Sequence, residues 1–119
     1  MKPYGFWISP DNKIYTIMND FGHKKFIENL LGETYDSDEN ATTKTLELGW
    51  IRIVNGNQTL MVDYRYIQTR EQLRLLKEIN NQLESDGYFH KDFILSYGYD
   101  YWNFDTFDKL INHIKNRSC

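Results

Sequence analysis

Apolar residues switch between two spacings along this chain. Phe6-Trp7-Ile8 and the alternating Lys13-Ile14-Tyr15-Thr16-Ile17 read as strands, joined by Ser9-Pro10-Asp11-Asn12. Proline at the second turn position has its φ already set, and Asn12 tolerates the left-handed conformation, so this segment predicts a hairpin. Asn19 or Asp20 then caps a helix with Phe26, Ile27, Leu30 and Leu31 on one face and Gly32 at its end. Residues 33–43 have no apolar periodicity and hold Glu33, Asp36, Asp38 and Glu39, which predicts an exposed acidic loop. A short helical turn over Ala41 to Leu48, stopped by Gly49, follows it.

Trp50-Ile51-Arg52-Ile53-Val54 predicts the next strand, and Asn55-Gly56 is the residue pair that a type I′ turn favours. Thr59 to Tyr66 returns as its partner, with Leu60, Val62, Tyr64 and Tyr66 on one face. Thr69 and Gln72 stand at capping-box spacing, ahead of a stripe of Leu73, Leu76, Ile79 or Asn80, and Leu83. Ser85-Asp86-Gly87 stops that helix. A strand is expected over Asp92 to Tyr99, and Asp105 is expected to cap a last helix carrying Phe107, Leu110, Ile111 and Ile114. Lys115 and Arg117 suit the C-terminal end of its dipole. The expected order is β-β-α-(α)-β-β-α-β-α. The fold class is α+β, with a mostly antiparallel sheet built from hairpins and packed on one face by two to three amphipathic helices.

Two segments, Phe6-Trp7-Ile8-Ser9-Pro10-Asp11-Asn12-Lys13-Ile14 and Leu48-Gly49-Trp50-Ile51-Arg52-Ile53, resemble a group of small phage-encoded proteins. That group shares a W-I-S-P-x-G-K-I start, a His in the following helix and a G-W-I-R-I strand. Asn12 stands where the group has Gly, and His23 stands where its His is expected. The resemblance covers the first half of the chain and brings no activity with it. It implies a viral or mobile-element origin.

The chain has 119 residues, which fits one domain over 1–119 with one core. Aromatic residues are in surplus at 16%, and nine of them fall between Tyr88 and Phe107. They supply enough buried area to build a core without disulfides. The single cysteine, Cys119, has no partner in the sequence. The first residues lack an apolar leader pattern, and no apolar run reaches membrane-spanning length, so a cytoplasmic protein is expected, in the host cytoplasm if phage-encoded. A formal charge of −3 argues against a dedicated double-stranded nucleic-acid binder, and single-strand stacking on the Tyr97–Phe104 stretch is the weakest option because Asp100 and Asp105 stand there with no Lys or Arg.

Motifs for catalysis are missing. No serine lies in a Gly-x-Ser-x-Gly elbow, and no glycine-rich run leads into a helix. The histidines His23, His90 and His113 form no metal-binding pair, and His90-Lys91-Asp92 offers two ligand types without a third. No catalytic residue, metal or cofactor is assigned. Arg70, Arg74 and Lys77 form a basic stripe that reads as a solvated helix face.

Two constellations remain. Tyr97, Tyr99 and Tyr101 would share one face of a single strand, with Trp102 beside them. Large, rigid, amphipathic rings of this kind favour protein interfaces. The expectation is a small phage-type accessory protein that binds a host protein, such as a defence component, and inhibits it. The same surplus suggests a homodimer. The alternative is a small enzyme or nucleotide- or ligand-binding protein with His23 and Arg52 in a cleft between the first helix and the sheet.

Overall fold

The structure, a computed structural model, describes residues 2–32 and 38–118, apart from the side chains of Asp38 and Ser118. Cys119 and residues 33–37 of the expected acidic loop lie outside the described residues.

The described residues form three successive hairpin-plus-helix units. The first comprises β1 (Gly5–Ile8), β2 (Ile14–Ile17), α1 (Asp20–Leu31) and α2 (Asp38–Glu47). The second is β3 (Ile51–Asn55), β4 (Thr59–Asp63) and α3 (Arg70–Ser85). The third is β5 (Asp92–Tyr97), β6 (Asp100–Phe104) and α4 (Phe107–Ser118). The strands make one six-stranded sheet in the order β2-β1-β3-β4-β5-β6. Every neighbouring pair is antiparallel except β4 and β5, which α3 connects as a parallel crossover. The fold is α+β with a mostly antiparallel sheet.

Strand alternation sorts the core into two clusters. Ile8, Ile51, Ile53, Leu60, Val62, Phe93 and Leu95 face α3 and α4, meeting Leu76, Ile79, Leu83, Leu110, Ile111 and Ile114. Trp7 and Ile17 point to the other face and pack with Ile27, Ala41, Leu46 and Trp50 from α1, α2 and the segment before β3. Helices α1 and α2 thus cover the β1–β2 end of the second face, so helices pack on both faces rather than on the one expected, because alternation puts Trp7 and Ile17 on the side opposite Ile8.

Local chemistry places these elements. Asn12 takes φ 69 at the end of the first hairpin turn, and its amide proton bonds Ser9 oxygen at 3.0 Å. Asn19 caps α1 by accepting from Gly22 N–H at 2.7 Å, and Gly32 ends the helix at φ 69. The capping box at Thr69 and Gln72 forms as the spacing predicts. Gln72 also does more than cap. It is fully buried, and its Oε1 accepts from the amides of Gln68 (2.7 Å) and Thr69 (3.2 Å). Its Nε2 donates to the carbonyls of Ser9 (3.1 Å) and Gly49 (3.0 Å). The amide is saturated, and it ties the first turn, the α2–β3 link and the α3 N-terminus together.

Several elements differ from expectation. Residues 38–43, expected in the acidic loop, belong to α2. Thr106, not Asp105, caps α4, accepting from Lys109 N–H at 3.2 Å, while Asp105 pairs with Lys109 at 2.8 Å. Tyr66 lies beyond β4 and is exposed. Asn55 and Gly56 do not form the type I′ turn. Neither has the positive φ it needs, and Gly56 N–H bonds Thr59 oxygen at 2.9 Å across Asn57 and Gln58 instead. Asn55 is buried and donates through Nδ2 to Pro3 oxygen at 3.1 Å, so its Oδ1 accepts from His90 Nε2 at 2.7 Å.

Two measurements test this framework. Replacing Gln72 by Met leaves four backbone groups short of a partner and should cost about 2–4 kcal/mol in urea denaturation. Gln72→Glu should cost more, because a carboxylate then faces two carbonyl oxygens. The second concerns pH. Burial, reinforced by the Lys2 ammonium, holds His90 below the ordinary imidazole range. On acidification the unfolded chain takes up the His90 proton first, so stability should fall as pH drops below about 6.5. His90→Gln should flatten that slope.

Candidate functional site

The second face of the sheet carries one rank of residues that runs across five strands. Register pairs Trp7 with Arg52, Arg52 with Asp63, Asp63 with Ser96 and Ser96 with Tyr101. Helices α1 and α2 cover the Trp7 end. The remainder forms the floor of a cleft of about 620 Å³. Asp20 and His23 of α1, with Glu39, Thr42 and Glu47 of α2, make one wall. Arg65 and the β5–β6 turn at Gly98 and Tyr99 make the other.

Arg52 and Asp63 form a cross-strand ion pair at 3.8 Å, with side chains 16% and 11% exposed. That separation is too long for a hydrogen bond. The other Arg52 contact is Nη2 donating to the Tyr4 hydroxyl at 3.4 Å. Burial pushes the Tyr4 hydroxyl up from the ordinary phenol range, against the pull of the Arg52 guanidinium, so it stays protonated. A guanidinium has five N–H donors in a fixed fork, and Arg52 lines the cleft with more donors than these two contacts use. Among the described residues, the contact made by the Asp63 carboxylate is this ion pair, which leaves its oxygens able to accept hydrogen bonds. The floor is a largely buried charge pair with spare donors beside spare acceptors.

His23 is 3% exposed and nearly coplanar with Trp7, at an interplanar angle of 4°. Trp7 Nε1–H donates to His23 Nδ1 at 3.3 Å. An indole nitrogen only donates, so Nδ1 must be the acceptor and the proton sits on Nε2. Nε2 then donates to Thr42 Oγ1 at 3.3 Å. The basic nitrogen is occupied by Trp7, and the ring works as a rigid link between β1, α1 and α2. That role differs from the proton-transfer role considered for His23, although the residue does line the same cleft as Arg52.

The expected single-strand aromatic face does not form. Tyr97 ends β5, Gly98 at φ 65 and Tyr99 make a tight turn, and Tyr101 and Trp102 belong to β6. The four rings therefore separate. Tyr97 and Trp102 turn to the α4 side, where the Arg117 guanidinium lies 4.5 Å and 4.9 Å from their ring centres. Tyr99 at the tip is 100% exposed, and Tyr101, 67% exposed, faces the cleft. The basic stripe on α3 is partly neutralised, since Arg74 pairs with Glu71 and Glu78.

His23 and Arg52, expected together in a cleft between the first helix and the sheet, and Tyr99 and Tyr101, expected on an aromatic face, all line this one cleft. Asp63 and Ser96 were not anticipated. A two-residue turn at Asn55–Gly56 would set Arg52 opposite Thr59, whereas the actual turn sets it opposite Asp63. The available signal was an acid at the inner end of the Leu60-Met61-Val62-Asp63 strand. Among the described residues, no group of three or more His, Cys, Asp or Glu is placed to hold a metal, and no helix is long and apolar enough to cross a membrane. No protein-family model, curated protein or solved structure matches the chain significantly.

A double-mutant cycle checks the His23 assignment. Trp7→Phe and His23→Leu should each destabilise by about 1–3 kcal/mol, since each removes one side of the buried Trp7–His23 hydrogen bond. The double variant should lose less than the sum, with a coupling of about 0.5–3 kcal/mol. Additive losses would show that the two rings do not interact.

Proposed function

We propose that this chain is a small binding protein whose recognition site is the cleft on the second face, and that it takes up a polar small ligand there. The observation that carries this reading is the Arg52–Asp63 pair, held at 3.8 Å on the floor of a 620 Å³ cleft with unused hydrogen-bonding capacity on both groups. Keeping a charge pair in that state costs stability unless a partner completes it. The volume falls within the range of small-molecule sites, about 300–1,000 Å³. Catalysis has no support from the histidine, because Trp7 uses its basic nitrogen.

A second reading is favoured by Tyr99, which stands fully exposed at the hairpin tip beside the cleft. In that reading the chain is a phage-type accessory protein, and Tyr99 and Tyr101 anchor a host protein against the same face. Trp102 and Tyr97 take no part, because Arg117 holds them on the α4 side.

One comparison separates the two. Amide NMR spectra recorded with a panel of amino acids, nucleosides and sugars should show a ligand that shifts Arg52, Asp63 and Ser96 in the wild type but not in Arg52→Gln. Tyr99→Ala should leave that binding intact. A host protein captured by the wild type, lost in Tyr99→Ala and retained in Arg52→Gln, would support the interface instead.

A further inference from the structure

Resting on the small-ligand reading, the ligand class follows from the order of groups along the rank. Moving outward from the covered end, the cleft presents a guanidinium (Arg52), a carboxylate (Asp63), a small hydroxyl side chain (Ser96) and an aromatic ring (Tyr101) on successive strands. Neighbouring strands are spaced by about 4.8 Å, so Asp63 and Tyr101 stand about 10 Å apart, with only Ser96 between them. That gap is wide enough for a flat ring to lie against the face of Tyr101. Its edge would then meet Asp63 and Arg52.

The edge such a ring must offer is specific. Arg52 only donates, and the Asp63 carboxylate only accepts. A matching edge therefore carries an acceptor next to donors. Guanine has this arrangement, with O6 beside N1–H and the N2 amino group, and its two donors suit the two oxygens of one carboxylate. Tyrosine rings stack on bases without regard to sequence, and Tyr101 is open enough to do so.

Charge narrows the class further. Asp20, Glu39, Glu47 and Asp63 line the cleft against Arg52 and Arg65, so carboxylates outnumber guanidiniums. A phosphate entering there meets repulsion from the α1–α2 wall, whereas a neutral nucleoside does not. We infer that the cleft is a guanine-nucleoside site, in which Tyr101 stacks on the base while Asp63 and Arg52 read its Watson–Crick edge.

The test is a titration of the full chain with guanosine, inosine, cytidine and guanosine monophosphate, followed by amide NMR. Guanosine should shift Arg52, Asp63, Ser96 and Tyr101 and bind more tightly than the other three. Tyr101→Ala, a change at an exposed position, should weaken guanosine by about fivefold or more. Asp63→Asn, which keeps the side-chain shape, should abolish the preference for guanosine over inosine, because a carboxamide no longer accepts from both donors. Unchanged discrimination in a folded Asp63→Asn protein overturns the base-reading role. No shift at these amides with several millimolar guanosine overturns the proposal. If another polar ligand still occupies the cleft in an Arg52-dependent way, the broader reading survives that loss.

Discussion

Gln72 has no solvent exposure, and its side-chain amide bonds backbone groups at the first turn, at the α2–β3 link and at the start of α3. A primary amide has two donors and two acceptor positions, and all are used. The three segments it joins are distant in the chain but must meet at one end of the sheet. Gly49 belongs to the same junction. Its φ of 95 lets the chain leave α2 and present a carbonyl to Gln72 before Trp50 turns into its cluster. Because α2 is fixed at this end, its other residues are held over the second face of the sheet.

That placement creates the cleft. Helices α3 and α4 cover the first face from β1 to β6, so among the described residues the second face has only α1 and α2 to bury it. Those helices are anchored at the β1–β2 end through Trp7, Trp50 and Ile27. The side chains change character where their cover stops. Under the helices the rank is aromatic, at Trp7. At the boundary and beyond it the rank is charged or hydroxylic, at Arg52, Asp63, Ser96 and Tyr101. A sheet face that is merely solvated rarely keeps an acid as buried as Asp63, which is 8% exposed. The polar rank is enclosed enough for its charges to interact strongly with whatever enters.

His23 and Arg117 show how a chemically suggestive residue can be absorbed by structure. His23 is locked into one tautomer between Trp7 and Thr42, which removes its free basic nitrogen and stiffens the cleft wall. Arg117 sits over Tyr97 and Trp102, which draws two of the four prominent aromatic rings onto the helix-covered side. What remains for recognition is the pair Tyr99 and Tyr101, next to the Arg52–Asp63 pair.

Local sequence defined the elements whose signals span only a few positions. The Thr69–Gln72 capping box, the Asn19 cap, the Gly32 stop and the Ser9–Asn12 turn each depend on residues a few positions apart, and each forms as the spacing predicts. The α+β class follows from the same signals. Register and sidedness were beyond its reach. Asn55-Gly56 has the right residues for a tight turn, but Asn55 is drawn inward by Pro3 and His90, so the turn moves on and Arg52 comes opposite Asp63. Gly98-Tyr99 divides the aromatic stretch into a hairpin, and Tyr97 and Trp102 pack on the α4 side. These points rest on long-range packing, since pairing partners and helix sides are set by contacts between residues far apart in the chain. The candidate site is made of such contacts: a cleft holding His23 and Arg52 was legible in outline, but the adjacency of Asp63, Ser96 and Tyr101 to them was not.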